Sequence, residues 1–192
     1  MDAAEGYPGR SEQQRIVTIR DEAFADIATA KAKAESNLQN ARAIFENHLQ
    51  SVFADAWRIG ALVNLSDLAT DITDGDHMPP PKAETGVPFI TIGNVNKTTR
   101  EIDFTDTFKV HREYFDGLKP SKKPKIGDVL YTVTGSFGIP VLIREEREFC
   151  FQRHIGLIRP KVDVRSDWLY YLLMSPQIFQ QASVGATGTA QK

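Results

Sequence analysis

The sequence predicts an α+β protein: a long coiled-coil-forming helix followed by a strand-rich domain closed by C-terminal helices. Two observations carry this. From Ser11 to about Ala56 there is no glycine or proline, and Ala, Glu, Gln, Lys and Leu dominate. Such a composition favours helix throughout, a rod of roughly 65–70 Å at 1.5 Å rise per residue. After Trp57 the texture changes to short apolar runs separated by Gly, Pro, Asp and Ser. The expected division is an N-terminal segment 1–10, a spacer helix 11–56 and a compact domain 57–192.

In the helix, Ser11 is the expected N-cap, with Gln14 three residues on as in a capping box. The apolar stripe runs Ile16, Ile19, Ala23, Ile27, Ala30, Ala34, Leu38, Ala41, Phe45, Leu49, Val52. Its steps of three and four form an eleven-residue repeat, about 3.67 residues per turn. A stripe this narrow on a helix this long calls for a partner helix. The expected helix interface is therefore Ile16, Ile19, Ile27, Leu38, Phe45, Leu49 and Val52.

In the second part, Pro88–Ile92, Asp128–Val133, Pro140–Ile143, Phe149–Phe151 and Ile155–Ile158 read as strands. Thr73-Asp-Gly75, Ser121–Pro124, Gly127-Asp128 and Gly135-Ser-Phe-Gly138 read as turns. Ser166–Met174 reads as a helix with Ser166 as N-cap. A second helix, Gln177–Ala182, follows with Pro176 at its first position.

Composition excludes several classes. No stretch approaches the roughly 20 apolar residues of a membrane span, and the start lacks the pattern of a signal peptide, so a cytoplasmic protein is expected. The single Cys150 leaves no internal disulfide and no multi-cysteine zinc site. Net charge is −2, so any nucleic-acid contact must come from local patches. There is no Gly-x-Gly for a dinucleotide or methyl donor, no Walker loop, no Asp/Glu-x-Lys nuclease signature and no Asn-Pro-Pro-aromatic signature. Neither a catalytic residue, a cofactor site nor a metal site is expected. Asp74, Asp76 and His77 fit a turn whose carboxylates accept backbone N–H groups better than acid–base or metal chemistry.

Several segments resemble the specificity subunits of type I restriction–modification enzymes. Glu12-Gln-Gln-Arg-Ile-Val17 with Asp21-Glu-Ala-Phe24 is similar to the start of that family's conserved-region helix. Asn37–Ala41 and Leu49–Phe53 fit its continuation. Ile72–His77 with Pro79 and Pro80, Val87–Ile90 with Gly93–Val95, and Pro124–Leu130 resemble its target-recognition domain. So do Thr134–Gly138, Phe151–Arg153, Tyr170–Leu173 with Ser175-Pro176, and Gly185–Gly188 with Gln191-Lys192. Each match is weak, but they occur in order over about residues 11–192.

The resemblance implies a non-catalytic subunit that reads a split site in double-stranded DNA. It implies methyltransferase (M) subunits as partners, with the restriction (R) subunit joining through the complex. A full family member carries two recognition domains and two long helices, whereas one of each is visible here. A half-length subunit, a truncated product or a fragment is therefore expected, pairing with a second copy through the helix. A regulatory scaffold that occupies the methyltransferase without productive DNA binding is the alternative.

Base reading needs guanidinium, amide or hydroxyl groups, and phosphate contact needs cations. Lys97, Thr98 and Arg100 form the preferred base-reading loop. Lys119, Lys122, Lys123 and Lys125, held open by two prolines, suit backbone contact. Gly135–Gly138 could bring Ser136 and backbone N–H groups to DNA. Gln152 and Arg153 lie between strands; Arg153 reads either as a guanine contact or as the buried partner of a carboxylate such as Asp128. Phe115, Phe137 and the Tyr170-Tyr171 pair read as core.

Overall fold

A computed structural model describes residues 7–58, 63–78 and 80–189; the expectations placed on Met1–Gly6, Pro79 and Gln191-Lys192 lie outside these. The chain divides into two compact units, Met1–His48 and Leu49–Lys192. The first is the greater part of α1, which runs Arg10–Arg58. The helix begins one residue before the expected cap. Gly9 O accepts the N–H groups of Glu12 and Gln13, so Ser11 sits inside the helix and not at its N-cap.

The second unit opens with the end of α1, where Leu49 and Phe53 are buried. Phe53 lies 6.5 Å from the Trp168 ring. The short α2 (Leu65–Leu68) leads into β1 (Ala69–Asp74). There follow β2 (Lys82–Ala83), β3 (Val87–Ile90), a 3-10 turn at Ile92–Asn94, β4 (Phe108–Val110) and α3 (Arg112–Asp116). A second 3-10 turn at Pro120–Lys122 precedes β5 (Val129–Thr132), β6 (Pro140–Leu142), β7 (Cys150–Phe151) and β8 (Ile155–Pro160). Two helices, α4 (Ser166–Met174) and α5 (Pro176–Thr189), close the unit. The N-cap of α4 is Arg165, one residue before the expected Ser166.

Two four-stranded sheets result, ordered β1-β8-β5-β6 and β2-β4-β3-β7. Side chains alternate across each sheet, and the sequence of each strand reflects which layers it meets. In the first sheet Leu130, Ile155 and Leu157 join Ile90, Phe149 and Phe151 of the second in one shared core. Val129, Tyr131 and Ile158 point the other way, against Leu169, Tyr170 and Leu173 of α4. In the second sheet Val87, Phe89 and Cys150 face away from that core and pack with Phe115 of α3. Because β5 is covered on both faces, all four of its residues are buried, which gives a continuous apolar run rather than an alternating one.

Candidate nucleic-acid interface

The turn carrying Ser136 and the turn carrying Gln152 and Arg153 both lie at one end of the first sheet. There β1 ends opposite the start of β8, with Asp74 paired to Gly156, and β5 ends with Thr132 paired to Ile155. The Gln152–His154 turn is held from three sides. Gln152 N–H donates to Ile90 O, Arg153 N–H to Asp76 O, and His154 O accepts Val133 N–H. Gly75 makes this possible, because a Cβ there would lie 2.1 Å from Phe151 O and 2.5 Å from the Gln152 carbonyl. Arg153 projects from this turn exposed, with Nε 3.4 Å from His154 Nε2.

The neighbouring Gly135–Gly138 turn is fastened by the buried Thr132. Its hydroxyl donates to Ser136 O and accepts Ile139 N–H. Gly135 and Gly138 both adopt positive φ, which favours glycine. The N–H groups of Phe137 and Gly138 are spent on Gly135 O and Thr132 O, so these two are not offered outward as the sequence suggested. Phe137 packs edge-on against Tyr131 and Phe179. Phe115 and Tyr170 are buried, while Tyr171 is 38% exposed and so is only partly core.

The carboxylates beside this turn bind side chains rather than the backbone N–H groups expected. Asp74 Oδ2 lies 2.7 Å from His77 Nε2. Asp76 accepts the Tyr114 hydroxyl and sits 3.6 Å from Lys122 Nζ. Burial, then the Asp76 carboxylate, push the Tyr114 phenol above its ordinary range. Among the described residues no group of three or more His, Cys, Asp and Glu side chains could hold a metal.

The lysine segment is less open than its prolines suggest. Pro120 starts a 3-10 turn, and the middle lysines turn inward. Lys122 donates to Gly75 O and Lys123 to Asp116 O, the latter over the Phe115 ring. Lys119 and Lys125 are exposed. Arg159 fastens the segment to the sheet, donating to Pro120 O and Lys123 O.

Arg159, not Arg153, is the partner of the buried Asp128. Its Nε and Nη2 reach the two carboxylate oxygens at 2.9 and 2.8 Å, and these hydrogen bonds raise the guanidinium pKa further. Register explains the choice. Asp71 lies opposite Arg159 across β1 and β8, and Asp128 immediately precedes Val129, which faces Ile158. Arg153 lies beyond the other end of β8.

Lys97, Thr98 and Arg100 occupy the tip of a tight connection closed by a Val95–Ile102 bridge. It follows a 3-10 turn rather than the expected strand. The Asn96 side chain accepts the N–H groups of Thr98 and Thr99, and Arg100 N–H donates to Asn96 O. Arg100 has φ 59°, a left-handed conformation uncommon for a side-chain-bearing residue. Its side chain lines a cleft of about 430 Å³ together with Arg144 and Arg147. Arg147 lies 3.7 Å over the Phe104 ring. Sequence reasoning missed Arg144 and Arg147, because in Arg144-Glu-Glu-Arg-Glu148 the neighbouring acids mask two cations that pair with no carboxylate among the described residues.

Along α1, Ile16, Ile19, Ile27, Leu38, Phe45 and Val52 are exposed. Leu49, expected in the same seam, is buried within the second unit, which begins eight residues before the predicted boundary at Trp57. No described helix is long and apolar enough to cross a membrane.

Comparison with protein-family models and with curated proteins found no match. Solved structures do match. One is a chain from work on complex assembly and conformational transition of the type I R-M system: 20% identity, 90% of this chain and 43% of that chain covered, TM-score 0.53. Another is the HsdS subunit from Thermoanaerobacter tengcongensis: 20% identity, 91% of this chain and 44% of that chain covered, TM-score 0.49. The first likeness identifies the fold, a long helix followed by an α+β domain as found in a chain of a type I system. This chain spans less than half the length of either solved chain.

Proposed function

We propose that this chain recognises DNA as one half of a type I specificity subunit, with α1 as spacer and residues 57–192 as target-recognition domain. It reads one part of a bipartite duplex site and holds the M subunits, through which the R subunit joins. The chemistry belongs to those partners, and this chain binds no cofactor. The observation that carries the reading is the fold shared over 90% of the chain with a chain of the type I R-M system. Exposed cations on defined loops support it: Lys97 on the Val95–Ile102 connection, Arg153 on the Gln152–His154 turn, and Lys119 and Lys125 flanking the 3-10 turn. A second copy would complete the bipartite reader by pairing its helix along the exposed Ile16-to-Phe45 seam.

The test is duplex binding by fluorescence anisotropy across 50–200 mM salt, alone and with M subunits. Log K should fall with log salt with a slope near −0.9 per phosphate contacted. Exchanging residues 57–192 for another recognition domain should change the methylated sequence in a host expressing the M subunits. Salt-independent, unselective association, with normal M-subunit binding, would favour the scaffold reading instead.

A further inference from the structure

We propose that the cleft formed by Arg100, Arg144 and Arg147 is a clamp for one phosphate–deoxyribose unit of the DNA backbone, making Arg144 and Arg147 positioning residues for the Lys97–Arg100 loop. This rests on the DNA-recognition reading and adds to it a surface that neither the loops' sequence nor the shared fold assigns.

Three observations lead there. First, three other arginines of the second unit bind carboxylates: Arg112 with Glu148, Arg159 with Asp128, Arg165 with Asp167. Arg100, Arg144 and Arg147 line one cleft, and among the described residues none of them pairs with a carboxylate. Three guanidiniums that line one cleft and have no carboxylate within ion-pair distance among the described residues form a site that an external anion can complete. Second, two of them are held before any ligand arrives. Arg100 is fixed by its left-handed backbone and the Asn96 turn. Arg147 is stacked on Phe104, itself edge-on to the buried Phe149. Stacking leaves the N–H edge of a guanidinium free for bidentate contact.

Third, charge and size select the ligand. The cleft also carries Glu101 and Glu145, so three cations against two anions leave one net positive charge. A phosphodiester carries one negative charge; a terminal phosphate, nearer two, matches less well. A volume of about 430 Å³ exceeds what a phosphate fills, and the wall offers Ile102 and Phe104 for the sugar beside it. The cleft abuts the base-reading loop, since Thr99 and Arg100 belong to both. A backbone held there would fix the register in which Lys97 and Thr98 meet base edges, as phosphate contacts do elsewhere.

The experiment uses the full chain and a mixed-sequence 30-base-pair duplex. Arg144→Gln, Arg147→Gln and the double variant are compared with Arg112→Gln, whose guanidinium is already paired outside the cleft. Losing one phosphate contact should flatten the slope of log K against log salt by about 0.9, so that a fourfold rise in salt weakens the variant about 3.5-fold less than the parent. Arg147→Lys should retain most of the slope, because charge survives while the stack does not. Discrimination between sequences should persist in every variant, since the clamp positions and does not read. An unchanged slope in the double variant, with the parent binding normally, overturns the clamp and leaves DNA recognition standing. Equal flattening by Arg112→Gln reduces the effect to net charge and also overturns it. Absence of salt-dependent binding by the parent, alone and with M subunits, overturns the recognition reading and the clamp together. Fluorescence gain from 2-aminopurine in the duplex would mean that a base enters the cleft, which overturns the backbone assignment.

Discussion

Replacing Arg159 with methionine removes one charge from a nearly dry pair and leaves the other behind. The Arg159 side chain is 16% exposed and that of Asp128 is 2%. Deleting one partner of a buried ion pair costs about 3–5 kcal/mol, because the survivor stays desolvated without compensation. Asp128 keeps the Lys125 N–H bond at 2.8 Å, which places the expected loss near the lower end, about 3 kcal/mol. Pro120 O and Lys123 O also lose their donor, so the lysine segment should loosen at the same time. For a chain of this size about 3 kcal/mol lowers Tm by roughly 6–12 °C. Urea unfolding followed by circular dichroism would measure the loss. The double variant Arg159→Met with Asp128→Asn should recover half or more, since it removes the stranded charge while an amide oxygen can still accept from Lys125. A loss under about 1 kcal/mol in the single variant, or no recovery in the double, would refute the assignment of this pair as the anchor.

Three further outcomes are expected. Burial, with Asp76 adding to it, pushes the Cys150 thiol up to about 12, so the folded protein should resist thiol reagents at pH 8 and react only with added denaturant. Because the folded pKa is raised, the thiol's contribution to stability is whole below the ordinary thiol range and is lost as pH climbs from there toward 12. Gly75→Ala should destabilise the second unit by about 2–4 kcal/mol and weaken DNA binding, because its Cβ meets Phe151 O at 2.1 Å and a rigid backbone must move; near-wild-type unfolding would show that the approach of β1 to the Gln152 turn is looser than the geometry indicates. Ile27→Asp with Leu38→Asp, both at exposed seam positions, should convert a self-associating protein to monomers with an intact second unit; sedimentation of the parent as a clean monomer at tens of micromolar would exclude the homodimer.

The sequence made some elements plain and hid others for identifiable reasons. α1 was legible because a run without Gly or Pro has one good solution, and only its cap was misplaced by a residue. β5, β6 and β8 were legible because sheets covered on both faces write unbroken apolar runs such as Val129-Leu-Tyr. By contrast β1 reads Ala-Thr-Asp-Ile-Thr-Asp. It is an edge strand, where polar and charged residues suppress stray pairing, and its end resembled only a turn. β4 reads Phe108-Lys-Val110 between polar neighbours, too little apolar sequence to mark a strand. The candidate site was legible in residue type but not in grouping. Arg153 and Arg159 are six positions apart in one segment, and only the register of β8 against β1 decides which of them meets Asp128.

That same pairing question decides where the second unit can bind an anion. Residues 58–192 carry nearly balanced charge, 17 bases against 16 acids, so the total is silent about partners and pairing carries the information. Arg112, Arg159 and Arg165 are committed to carboxylates, and Lys122 and Lys123 are drawn to carbonyl oxygens. The field of the three arginines is largely cancelled at short range, and the two lysines are held away from an outside ligand. Arg153, Lys97 and the three cleft guanidiniums have no carboxylate partner among the described residues; backbone bonds hold the loops of Lys97, Arg100 and Arg153 in place, and the Phe104 ring holds Arg147. A protein of net charge −2 can therefore present concentrated positive potential at a few fixed points. That suits recognition better than a uniformly basic surface would, because unpaired cations in set positions engage phosphates only where the backbone passes through all of them in register, while the acidic remainder of the surface disfavours every other approach.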